Sequence, residues 1–150
     1  MKTKESDNII KQSDESLLAN ELIDLCESDS LSKDGLRKIF ERHGFMLLSP
    51  YTPKINNYDF FFEACYNERV TEGIIRYILE YFPDASSAAD DIGYTPLHYA
   101  CGNKNITLNI VQLLIDAAPD SVRSVDSTSW MPLHYLCKNE DVDEIAEWKS

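Results

Sequence analysis

Residues 93–101 read Gly93-Tyr94-Thr95-Pro96-Leu97-His98-Tyr99-Ala100-Cys101, and the chain returns to nearly the same text 36 residues later. Pro96-Leu97-His98-Tyr99 is echoed by Pro132-Leu133-His134-Tyr135, and six of the eight positions from 96 to 103 are identical to those from 132 to 139. The interval extends outward in both directions. Cys65, Cys101 and Cys137 share it, as do Asn67, Asn103 and Asn139, Ala64 and Ala100, Ile74 and Ile110, and Asp90 and Asp126. Pro83-Asp84 likewise matches Pro119-Asp120. A period of this length, sustained through turns as well as apolar stretches, marks a structural repeat.

Each unit reads as helix, short turn, helix, hairpin. Thr95 is placed to cap the first helix through its hydroxyl, with Pro96 at the position where no amide donor is needed. Leu97, Ala100 and Cys101 then fall on one narrow apolar face, and the small Ala and Cys let a neighbouring helix approach closely. Leu133, at the same place one unit later, is expected in an equivalent buried slot. Asn103 suits a left-handed stop after that helix. Thr107 is placed to cap the second helix, whose Ile110, Val111, Leu113, Leu114 and Ile115 form a broad apolar face. Pro119-Asp120 ends it, and Asp126 to Ser129 supply the turn into the next unit.

The segment Gly93 to Cys101 resembles the ankyrin repeat, whose signature reads G-x-T-P-L-H-x-A-A, and Ile110-Val111-Gln112-Leu113-Leu114 is similar to the family's E-I-V-K-L-L stretch. The resemblance covers roughly residues 54–150 and departs in its period, 36 here against the family's usual 33. It implies an all-α ankyrin-repeat solenoid of stacked helix-turn-helix units with hairpin connections. The expected units are 54–89, 90–125 and a truncated 126–150. In the first of these Asp59 stands at the capping position and Phe60-Phe61-Phe62 replaces Pro-Leu-His. In the last, Met131 replaces the capping Thr and the second helix, Asp141 to Trp148, is short. Residues 13–53 read as a degenerate N-terminal unit with helices over Glu15–Cys26 and Ser32–His43. Their apolar sets are Leu17, Leu18, Leu22, Ile23, Leu25 and Leu36, Ile39, Phe40. Phe45 to Pro53 is the expected link, and residues 1–12 are expected to be a disordered tail.

The net charge is −12, unevenly placed: residues 1–57 carry 8 basic against 10 acidic side chains, and 58–150 carry 6 against 16. Nucleic-acid binding needs a basic patch, which this balance opposes. No apolar run is long enough for a membrane span and Met1–Gln12 has no secretory character, which places the expectation in the cytoplasm, with a nuclear location open. Four cysteines are too few and too regularly spaced for a disulfide scaffold.

His98-x-x-Cys101 and His134-x-x-Cys137 have a spacing that can ligate zinc, but stacked units would hold the two pairs about 10 Å apart, too far for one tetrahedral site. Cysteines on buried faces of an acidic chain make poor nucleophiles. Asp90-Asp91 and Glu140 to Glu144 lack calcium-loop spacing. The Asn105-Ile106-Thr107 sequon, without a signal peptide, has no route to glycosylation. With no Gly-rich phosphate loop or nucleophile elbow, the chain is read as neither an enzyme nor a cofactor carrier.

The expected function is a non-enzymatic module binding a protein or peptide through its concave face and hairpin tips. The alternative is a regulatory or accessory ankyrin segment of a larger enzyme or multidomain protein. Tyr58, Tyr94 and Trp130 recur at the 36-residue interval just before the first helices. In the resembled family that position lies at the hairpin base and faces the partner. Asp91, Ile92, Ser127, Thr128 and Lys138 differ between units, as residues tuned to a partner do. Together these eight are the candidate partner-binding set, with a basic protein or peptide as the partner that the acidity favours. The opposing possibility is that the recurring rings form a structural ladder. Oligomeric state is left open.

Overall fold

The computed structural model describes residues 17–44 and 58–138. Helical residues 17–27 (α1) are followed by α2 (Lys33–Arg42), α3 (Asp59–Tyr66), α4 (Glu72–Tyr81), α5 (Pro96–Cys101), α6 (Leu108–Ala117) and α7 (Pro132–Lys138). Short 3-10 segments at Pro83–Ser87 and Pro119–Arg123 follow α4 and α6. Among the described residues there is no strand, so the expected hairpins are tight turns. The tail 1–12, the link 45–53 and the helix expected over 141–148 lie outside the described residues.

Second helices begin alike. Ser32, Thr71 and Thr107 each accept a hydrogen bond from the amide three residues on, at 3.0, 3.2 and 3.3 Å. Each satisfies a donor that the first turn of a helix leaves open. At α5 the cap is reciprocal: the Thr95 hydroxyl accepts from the His98 amide, and His98 Nδ1 accepts from the Thr95 amide at 3.1 Å. The start of α3 departs from expectation. Tyr58, not Asp59, is the N-cap, with no side-chain cap bond, and Asp59 is the first helical residue. Phe60, standing where Pro96 does, keeps its amide and lets the helix start one residue earlier, and the Asp59 carboxylate there suits the helix dipole.

Stacking makes two rows. First helices α3, α5 and α7 pack successively on one another, and second helices α2, α4 and α6 do the same behind them. The core between the rows contains Leu22, Leu36, Phe60, Phe61, Ile75, Ile78, Ile110 and Leu114, all essentially inaccessible. Phe40 of α2 joins it against Tyr77, Tyr81 and Phe82.

Asn103 is not in the left-handed conformation, which among described non-glycine residues only Ser129 adopts. It is instead buried, and its amide donates to the carbonyls of Cys65 and Asn67 in the preceding unit, at 3.0 and 2.9 Å. Asn67 repeats the bond one unit earlier, to the carbonyls of Cys26 and Ser28 at 2.8 and 2.9 Å. Cys26 therefore corresponds to Cys65 at an offset of 39, not 36, and Ser32 corresponds to Thr71 at the same offset. The chain between α2 and α3 is longer by three residues than that between α4 and α5, once Phe60 is matched with Pro96.

Three further expectations are corrected. Leu17 is 53% exposed, because Leu18, Leu22 and Cys26, four residues apart, carry the buried stripe of α1 and leave it on the flank. Leu133 is 48% exposed where Leu97 is 3%, since α6 packs back on α5 and no described element does the same for α7. Cys137 is exposed for the same reason, while Cys26, Cys65 and Cys101 are buried.

Leu97→Ala is expected to cost about 2–5 kcal/mol in urea denaturation, and Leu133→Ala about 1 kcal/mol or less, because truncating a half-exposed side chain leaves no cavity. Equal losses would mean that Leu133 is packed in solution. Asn103→Ala, which strips the Cys65 carbonyl of the asparagine donor and leaves the Asn67 carbonyl with the Val70 amide alone, is expected to cost about 1–3 kcal/mol. Hydrogen exchange should locate the loss first at the α3–α5 junction, and uniform deprotection of the whole chain would contradict a solenoid held by neighbour contacts.

Candidate interaction surface

The turns before α5 and α7 are built alike, around an aspartate and a tyrosine that recur 36 residues apart. Asp90 Oδ1 accepts from the amides of Ile92 and Tyr94 at 3.0 and 2.9 Å, and its Oδ2 from the Tyr99 hydroxyl. Asp126 Oδ1 accepts from the amides of Thr128 and Trp130 at 2.8 and 3.1 Å and from the Thr128 hydroxyl, and its Oδ2 from Tyr135. Gly93 and Ser129 occupy the equivalent left-handed position, φ 84° and 65°. Glycine is favoured at 93, because a Cβ there would crowd the Asp126 Cα and Val125 carbonyl at 3.1 Å on top of the left-handed φ. That closeness accompanies a bond between turns, from the Ser127 amide to the Ile92 carbonyl at 2.8 Å.

Burial alone would raise the Asp126 carboxyl, but the hydroxyls of Thr128 and Tyr135 and the amides of Trp130 and Thr128 hold it well below the usual carboxylate range. Tyr99 and Tyr135 are pushed well above the ordinary phenol value, by burial first and then by donating to their carboxylates.

The aromatic positions have unlike surroundings. The Tyr94 ring stacks on His98 and meets Tyr99 and Tyr135 edge-on, and its hydroxyl is hydrogen-bonded to that of Tyr135 at 3.1 Å. Trp130, 36% exposed, lies against His134 and Tyr135, with Lys138 Nζ 5.4 Å from its ring centre. Tyr94 and Trp130 are thus joined through Tyr135. Tyr58 is half-buried and neighbours Phe60, 6.4 Å between ring centres. Asp91, Ile92, Ser127 and Thr128 are exposed on the turn tips.

Beside the tips, the face of the first helices holds a groove of ≈ 380 Å³. Ile23 and Glu27 of α1, Asp59, Phe62 and Glu63 of α3, Asp90 to Ile92 of the turn, and Tyr99 of α5 line it. Asp91 and Ile92 were legible as tip residues; Glu27, Phe62 and Glu63 were not, because nothing in the 36-residue pattern connects α1 with α3. A cleft of ≈ 560 Å³ on the opposite side runs between α4 and α6. Its polar groups are largely satisfied along their own helices, Arg76 by Glu72 at 2.7 Å and Gln112 by Asp116 at 2.8 Å.

His98 and Cys101 serve the fold, whereas His134 and Cys137 are exposed. His98 Nδ1 accepts from Thr95, so the ring proton sits on Nε2, which donates to the Trp130 carbonyl of the next unit at 3.0 Å. Burial pushes the Cys26 and Cys101 thiols up to about 12 and Cys65 well above its ordinary value, far from a reactive thiolate. The sequon residues are engaged too: Asn105 donates to the Glu68 carbonyl and Thr107 is a cap.

A family model described as ankyrin repeats in three copies matches residues 61–148, more than half of the chain. The chain belongs to the ankyrin-repeat family. Ankyrin repeats are generally protein–protein interaction modules and typically not catalytic. Among curated proteins, none matches the chain. No helix among the described residues of this ankyrin-repeat protein is long and apolar enough to cross a membrane.

Because the folded-state pKa of Asp126 is below its unfolded value of about 3.9, its contribution to stability is complete above that value and is lost as pH falls toward the folded pKa. Asp126→Asn should therefore melt well below the wild type at pH 7, and the gap should close progressively below about pH 4. A gap independent of pH would show that the carboxylate charge plays no part in holding the turn.

Proposed function

We propose that this chain binds a protein or peptide, without catalysis, through the turn tips and the face of its first helices. The division of labour within the turns supports the reading. Asp90 and Asp126 fix the backbone from beneath, so the side chains of Asp91, Ile92, Ser127 and Trp130 project from a rigid frame without being needed to build it. A preorganised surface loses little entropy on binding, and an exposed indole is a favoured anchor. Tyr94 is the structural member of the pair and Trp130 the contacting one. The units we propose are 54–89, 90–125 and 126–150, preceded by one over 13–53, an assignment supported by the correspondence of Cys26 with Cys65 and of Ser32 with Thr71. The partner carries basic residues, as the acidic balance of residues 58–150 favours.

The test is affinity capture from the native cell with this chain as bait, followed by calorimetry on the recovered partner. Trp130→Ala is expected to weaken that complex by more than about 1 kcal/mol while leaving the melting transition nearly unchanged. A variant that melts earlier yet binds normally per folded molecule would make Trp130 a rung of a structural ladder and end the proposal.

A further inference from the structure

The groove between α1, α3 and the turn before α5 collects carboxylates from separate parts of the chain, and no lysine, arginine or histidine is among the residues lining it. Four acids elsewhere have a basic partner: Asp34 and Glu41 with Arg37, Glu21 with Arg42 and Glu72 with Arg76. Asp90 is committed to its turn and to Tyr99, so the acids that can serve a ligand are chiefly Glu27 and Glu63 on one rim and Asp91 on the other. The Glu63 carboxyl is raised above its ordinary value, by burial first and then by Glu27 and Asp59, so it bears like-charge repulsion in the free protein.

Between the rims lie two rings and an aliphatic side chain. Phe62 and Tyr99 stack with centres 5.2 Å apart, and Ile92, 48% exposed, overhangs the edge shared with the turn tips. Ile92 and the ring of Tyr99 offer contact to the methylene stem of a long cationic side chain, while the rims suit its charge. A guanidinium has five donors in a plane and can engage acids on both rims, and it is less strongly hydrated than an ammonium, which favours entry into a partly desolvated site.

From these observations the geometry points to an arginine side chain of a basic partner segment as the occupant of the groove. This rests on the reading of the inner face as a binding surface and adds to it the residue recognised and where it is held.

The experiment is an NMR titration of the whole ¹⁵N-labelled chain with a capped Gly-Ser-Arg-Ser-Gly peptide, and with versions carrying citrulline or lysine in place of arginine. Citrulline keeps the shape and removes the charge. Saturable shifts at Glu27, Glu63 and Ile92 are expected, with affinity about fivefold or more weaker for citrulline and measurably weaker for lysine. Glu63→Gln should weaken arginine-peptide binding about threefold or more without lowering the melting temperature, since it relieves repulsion. Equal affinity for citrulline, an unchanged affinity in Glu63→Gln, or no saturable shift in the groove would overturn the assignment, and equal affinity for lysine would overturn the choice of arginine. Shifts confined to Thr128 and Trp130 would remove the groove but leave the tip interface standing. Groove binding of the peptide alongside an unaffected partner complex in Trp130→Ala would do the reverse.

Discussion

At the ends of the short first helices α1 and α3 the carbonyls of Cys26 and Ser28, and of Cys65 and Asn67, are bonded by the amide of an asparagine that reaches back from one unit later. Buried carbonyls without a donor are costly, so a unit is complete only when its successor is in place. Other features follow from the short distance this bond demands. Ala64, Cys65, Ala100 and Cys101 are small where one first helix meets the next, and all four are buried. The same spacing sets α1, α3 and α5 side by side, so that Glu27, Glu63 and the Asp91 turn come to border a single groove. His98 adds a second tie in the same direction of dependence, from its ring to the Trp130 carbonyl of the following unit.

The periodicity made the fold legible because it recorded contacts between units and not only preferences within them. Where a local rule was set against it, the period was the better guide. An asparagine after a helix suggests a left-handed stop, yet the recurrence at 67, 103 and 139 was already evidence for a role between units. Leu133 was misjudged for the converse reason: identical letters were equated with identical burial, although burial depends on what packs outside the unit. Residues 13–53 were legible as a degenerate unit but not their register, because three additional residues between α2 and α3 shift the offset to 39 and leave Cys26 outside the series of 65, 101 and 137.

The surface was less legible than the fold, and the cause is physical. Positions that hold the turns recur, so Asp90 and Asp126 or Tyr94 and Trp130 could be found by spacing. Positions that shape the groove break the repeat. Glu63 stands where Tyr99 and Tyr135 stand, and those tyrosines turn their hydroxyls onto the aspartates of their own turns. With glutamate at 63, α3 instead presents a carboxylate to the groove, and only the packing of α1 alongside brings Glu27 to meet it.

Two of the acids, Asp126 and Glu63, are shifted in opposite directions. Asp126 is held ionised by four donors that the fold supplies, so its charge contributes to stability. Glu63 is shifted the other way by burial and by its acidic neighbours, so its charge works against the folded state at neutral pH. A carboxylate that only kept the surface soluble could sit anywhere with full hydration and no such penalty. Its placement against Phe62, beside Glu27 and Asp59, is accounted for by what a cation would gain there: attraction to several carboxylates at once in partly desolvated surroundings, where each is felt more strongly than in bulk water.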